Sequence, residues 1–170
     1  MPVYLQRIRL TVHTKKQFQA GTNSTVTLGY QVEPEHVHPK LEPGMHYETL
    51  DHPWHDDFQS GKADSYEIRF DTGEPGQALG RPIPSGLQFD SLEEARGLQL
   101  TLRIDGDDQW IFDRLAVGGF FVEVKRIGEN LEEVELGWVE MAKHAGDVEM
   151  SSDPEEGYEE VPIELNGSFQ

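Results

Sequence analysis

Apolar and polar residues take turns through most of the first 140 positions. In YLQRIRLTVHT, Ile8, Leu10 and Val12 share one face while Arg7, Arg9, Thr11 and His13 share the other, as in a strand with one side buried. The same period of two puts Val26, Leu28 and Tyr30 inward in STVTLGY, and Tyr66, Ile68 and Phe70 inward in DSYEIRF. It also turns Leu98, Leu100, Leu102 and Ile104 inward in LQLTLRI. WIFDRLAV and GFFVEVKRI are joined by Gly118-Gly119, a dipeptide suited to a hairpin connection. EEVELGWVEM adds a last strand with Val134, Leu136 and Trp138 in phase. Trp110, in phase with Phe112, and Trp138 are both assigned to the core.

Helical periodicity is nearly absent. Ser91-Leu92-Glu93-Glu94 has the Ser-x-x-Glu form of a capping box and Gly97 can end a turn, so residues 91–96 are predicted to form one short helix. The stretch DTGEPGQALGRPIPSG, rich in Gly and Pro, reads as a long loop. The prediction is an all-β fold, an antiparallel β-sandwich of about eight strands. Alternation fades after residue 141. This divides the chain into a sandwich over 1–141 and an acidic, mobile tail over 142–170, within which VPIEL is apolar enough to dock as an edge strand.

Charge reinforces that division. The 170 residues include 32 Asp+Glu against 14 Lys+Arg, a formal net charge of -18. Residues 129–170 hold 13 acidic side chains against Lys143 alone, a net of -12, leaving -6 for the first 128. Such a field repels nucleic acid, which is excluded as a partner, and repels anionic lipid unless a bound cation intervenes. The chain has no cysteine, which removes disulfides, thiolate metal sites and a cysteine nucleophile. No apolar run approaches the roughly 18 residues of a membrane span, and MPVYLQRIRL lacks the layout of a signal peptide. The expected location is cytoplasmic or at the periphery of a membrane.

One loop concentrates the candidate chemistry. DHPWHDDF, residues 51–58, crowds three carboxylates, two imidazoles and Trp54 between two predicted strands. Oxygen-rich charge of this kind suits calcium, which takes about six to eight oxygen ligands. Trp54 in this loop and Phe18 in the first turn are candidates for contact with lipid headgroups or a partner surface. Asp113-Arg114 reads as a structural ion pair. His36-x-His38 is bracketed by Pro34 and Pro39, which makes loop histidines the better reading than a zinc pair, and no HExxH occurs. There is no G-x-S-x-G, no Gly-rich phosphate loop after a strand, and no carboxylate pair that stands apart from the rest. No catalytic residue is assigned, and a hydrolase is the enzymatic alternative.

Three segments in order resemble the PLAT domain, the β-sandwich found in lipoxygenases, animal lipases, polycystins and the C-terminal half of bacterial zinc phospholipases C. Ala20-Gly21-Thr22-Asn23 resembles the family's A-G-T-[DN] turn between its opening strands. Residues 50–66, LDHPWHDDFQSGKADSY, resemble its acidic loop, Phe, Gly-containing pair and Asp-Thr/Ser-aromatic strand start. LTLRIDGDDQWIFDRLAV, from Leu100 to Val117, resembles its strand, acidic loop, Trp and Asp-Arg/Lys segment. The likeness spans roughly residues 4 to 140. Gly21 is expected to supply a positive φ to the turn.

The resemblance implies a calcium site built from Gly21, Thr22 and Asn23, from His52, Asp56 and Asp57, and from Asp107 and Asp108. Asn23 stands where calcium-binding members usually have Asp, and His52 where an amide is expected, so the implied site is weaker in charge. The resemblance further implies a non-catalytic module that binds, with the help of calcium, a phospholipid surface or a membrane-associated protein. A metal-independent protein-interaction or structural module is the alternative.

Overall fold

Strands that bury every second side chain need a second layer to bury it against, and this chain supplies one. In the computed structural model, two antiparallel sheets share one apolar core. The structure describes residues 2–36, 38, 41–52, 57–70, 76–78, 81–83, 86–106, 108–153, 155 and 157–165. The strands in chain order are β1 (Val3–Thr14), β2 (Thr25–Val32), β3 (Gly44–Thr49), β4 (Ala63–Arg69), β5 (Gly76–Ala78), β6 (Arg81–Ile83), β7 (Leu87–Phe89), β8 (Leu100–Asp105), β9 (Trp110–Ile127), β10 (Asn130–Met150) and β11 (Glu160–Ile163). One sheet runs β10-β9-β1-β4, with β7 beside the first residues of β1; the other runs β11-β8-β2-β3, and among the described residues β5 pairs only with β6.

Outside EEVELGWVEM, the predicted inward faces are the buried ones. Ile8, Leu10 and Val12 of β1, Val26 and Leu28 of β2, and Leu100, Leu102 and Ile104 of β8 are at most 1% exposed. Trp110 is fully buried, and its indole N–H donates to Thr14 Oγ1 at 2.9 Å, so no polar atom of the ring is stranded. VPIEL supplies β11, an edge strand antiparallel to β8. β10 itself runs on to Met150, past the point where the alternation fades.

Three expectations are corrected. Gly118-Gly119 is no hairpin, because β9 runs straight through it. A Cβ on Gly119 would lie 2.6 Å from Met141 Sδ and 2.9 Å from Leu5 Cδ1, so packing requires that glycine; the turn comes at Gly128, φ +65°. Trp138 is not core. The β9–β10 register shifts between Glu135 and Gly137, and Gly137 has φ +78°, so a bulge resets the alternation and sends Trp138 to the outer face, 39% exposed. The predicted helix is a single 3-10 turn, Glu94–Gly97, although Glu94 N–H does donate to Ser91 Oγ as the capping pattern predicts.

Candidate functional site

Strand direction brings three loops to one end of the sandwich: the β1–β2 loop, the β3–β4 loop and the β8–β9 loop. Backbone bonds tie them together. Thr22 N–H donates to the Phe58 carbonyl at 3.1 Å, and Ile111 N–H to the Ala20 carbonyl at 2.9 Å. Side chains add to this: Asn23 N–H donates to Asp108 Oδ2, and Asp108 N–H to Ser24 Oγ, both at 3.0 Å. Gly21 is needed for close approach, since a Cβ there would sit 2.8 Å from the Phe58 carbonyl oxygen. The positive φ expected of it belongs instead to Gln19, at 62°.

In the second loop, the Asp57 side chain is 7% exposed. Its Oδ2 accepts the His52 backbone N–H at 2.7 Å, and its Oδ1 lies 2.6 Å from His52 Nδ1. His52 Nε2 lies 2.6 Å from the Ser65 carbonyl oxygen. A carboxylate and a carbonyl both accept, so the ring satisfies the two contacts together only as the imidazolium. Burial works against that charge, but the hydrogen bonds to Asp57 and Ser65 outweigh it and raise the His52 pKa. Burial would likewise raise Asp57, and the His52 N–H groups outweigh it and hold the carboxyl below its usual range.

Beneath this pair, Asp64 is buried and accepts the Phe58 N–H at 3.0 Å. His52, Asp57 and Asp64 each offer a ligand atom, all within 4.8 Å of one another. Tyr66 stacks on the His52 ring at 4.3 Å, and its buried hydroxyl makes no well-directed hydrogen bond among the described residues. Burial, then Asp57, then the charges of Asp64, Asp57 and Asp51 push its phenol far up. Three carboxylates therefore gather around one ring.

Two depressions open onto this rim. One, of about 350 Å³, has Thr22 and Asn23 among its lining residues together with Asp51 and Asp57. The other, of about 560 Å³, runs past Phe18, Gly21, Thr22, Asn23 and Asp108, and Phe18 is 87% exposed beside it. Of the predicted site residues, the structure brings together Phe18, Gly21, Thr22, Asn23, His52, Asp57 and Asp108. Trp54, Asp56 and Asp107 lie outside the described residues. Asp51 and Tyr66 were not among the predicted ligands. Asp51 belongs to the same acidic stretch, whereas the place of Tyr66 emerges only once β4 folds against the loop.

Two of the other described histidines pack against aromatic rings of the core. His36 packs on Phe89 at 4.4 Å and His46 stacks on Tyr30 at 5.4 Å. Asp113 pairs with His13 at 2.6 Å, and Arg114 is the more distant partner at 3.8 Å.

No protein-family model and no curated protein matches the chain. Among solved structures it is similar to the alpha toxin from Clostridium absonum, at 13% identity and a TM-score of 0.49, over 87% of this chain and 32% of that one. It is also similar to a lipoxygenase deletion variant solved anaerobically in complex with arachidonate, at 14% identity and a TM-score of 0.37, over 88% of this chain and 16% of that one. The chain thus spans less than a third of either protein. What its own coordinates establish is an all-β sandwich of two antiparallel sheets with three loops tied together at one rim.

Proposed function

We propose that the chain is a non-catalytic module that docks its loop rim on a phospholipid surface with the help of calcium. The observation that supports this reading is the convergence of Asn23, Asp57 and Asp108, distant in sequence, beside depressions walled by oxygen donors and flanked by an exposed aromatic. Asp51, Asp57 and Asp108 would supply carboxylate oxygens, Asn23 its amide oxygen, and Gly21 and Thr22 backbone carbonyls. Such an all-oxygen donor set is the chemistry calcium takes. Asp56 and Asp107 add carboxylates to the same two loops in sequence. His52, with both ring nitrogens engaged, holds Asp57 in place rather than reaching the ion.

The ion has an electrostatic task. A chain of charge -18 is repelled by anionic headgroups, and calcium both neutralises the rim and offers open positions to lipid phosphate. Phe18, and in sequence Trp54, would then enter the interface. Among the described residues no helix is long and apolar enough to cross a membrane.

Sedimentation with phosphatidylserine vesicles tests the reading. The chain is expected to pellet in millimolar calcium and to be released by EGTA. Phe18→Ala should weaken binding by about tenfold or more, since burying a Phe side chain contributes about 1.5–3 kcal/mol. Pelleting that ignores calcium and EGTA, or none at all, would contradict it.

A further inference from the structure

The outer face of the β10-β9-β1-β4 sheet has a character opposite to the rest of the molecule. Pairing aligns its outward side chains in four rows: Arg69, Arg7, Phe120 and Trp138; Glu67, Arg9, Gly118 and Glu140; Ser65, Thr11, Ala116 and Lys143; Ala63, His13, Arg114 and Ala145. These rows hold five bases against two acids, on a chain of net charge -18. The guanidinium of Arg7 lies 4.3 Å over the Phe120 ring and that of Arg9 4.1 Å over Trp138, and both also reach the Glu67 carboxylate, at 3.4 and 3.5 Å. Such stacking fixes the planes of the two forks. Below them Thr11, Ala63 and Ala116 help floor a trough of about 280 Å³, walled by His13, Arg114 and Lys143. The Arg114 side chain is 67% exposed and reaches Asp113 only at 3.8 Å, against 2.6 Å for His13.

We propose that this face docks an acidic peptide segment of a partner protein, with its carboxylates on Arg9, Arg114 and Lys143 along the trough. Charge complementarity selects the occupant: fixed guanidinium planes and an exposed ammonium accept carboxylates by charge-assisted hydrogen bonds. Shape selects it too. Four strands span only about 14 Å across, a width suited to one extended segment. A bilayer is a poorer fit, because Phe120 and Trp138 lie under the guanidinium groups instead of standing free to insert. The projecting β9–β10 hairpin, with Glu129, Glu132, Glu133 and Glu135, would also meet an anionic bilayer brought flat against this face.

The test is fluorescence anisotropy of a labelled octaglutamate peptide with the full chain, in EDTA, so that it is independent of the loop rim. Binding is expected at low salt, falling as salt rises, and about tenfold or more weaker in the double variant Arg114→Glu/Lys143→Glu. Glu67→Gln/Glu140→Gln, which removes the two acids, should bind more tightly. Circular dichroism checks that each variant is folded. The proposal is overturned if octaglutamate fails to bind, if the double charge reversal leaves its affinity unchanged, or if Arg114 and Lys143 prove to matter only for phosphatidylserine vesicles.

Discussion

His52 and Asp57 hold each other in their charged forms, and the consequence for stability has a definite sign. His52 is raised in the fold from its ordinary value of about 6.5. Its contribution is therefore full below about pH 6.5 and is lost as pH rises through the higher folded value. Asp57 is lowered from an ordinary value of about 3.8, so its contribution is present above that value and is lost as pH falls through the folded one. In EDTA, the Tm of the chain should exceed that of His52→Gln by more at about pH 5.5 than at about pH 8.5. A difference that does not vary with pH would show that the imidazolium is not what holds Asp57. Gly21 makes a second case. Gly21→Ala should lose about 1–3 kcal/mol in urea unfolding, because a Cβ would meet the Phe58 carbonyl oxygen at 2.8 Å. The resemblance of three sequence segments to one family's loops, and not residue spacing, made Thr22, Asn23, Asp57 and Asp108 legible as neighbours at one rim; those segments say nothing of side-chain pairing. They hid the ion pair inside the cluster, because a histidine in an acidic loop looks the same in sequence whether it faces a metal or a carboxylate.

Period-two alternation carried β1, β2, β4 and β8 into their observed positions because each has one buried face, and β1 keeps its register from Arg7 to His13 between irregularities at either end. It misled where backbone irregularity intervened. The bulge at Gly137 cost one step of phase, and Trp138 went to solvent while Leu136, two residues earlier, stayed packed against the core. Gly118-Gly119 looked like punctuation because a glycine required by packing and one required by a turn have the same letter. The two glycines should now separate in experiment. Gly119→Val should destabilise by about 2 kcal/mol or more, its Cβ already meeting Met141, Phe121 and Leu5 at 2.6–2.9 Å. Gly118→Ala meets Trp138 only at 3.6 Å and should be neutral or stabilise by up to about 1 kcal/mol through reduced freedom of the unfolded chain. Equal losses at both positions would count against the packing account.

For the whole molecule, charge and architecture act together. Two sheets bury the alternating faces, the connections of three strand pairs meet at one end, and a chain of net charge -18 brings carboxylates to that end, where mutual repulsion has to be offset. Local bonds offset part of it: His52 for Asp57, the Asn23 N–H for Asp108. In the function proposed above, a divalent ion offsets the rest. Differential scanning calorimetry with and without millimolar calcium tests it most directly, because an ion that binds only the folded state must raise the Tm. The Tm of the native chain should rise with calcium, and Asp57→Asn/Asp108→Asn should abolish the rise. A Tm that calcium leaves unchanged, or a rise that survives in the double variant, would contradict it.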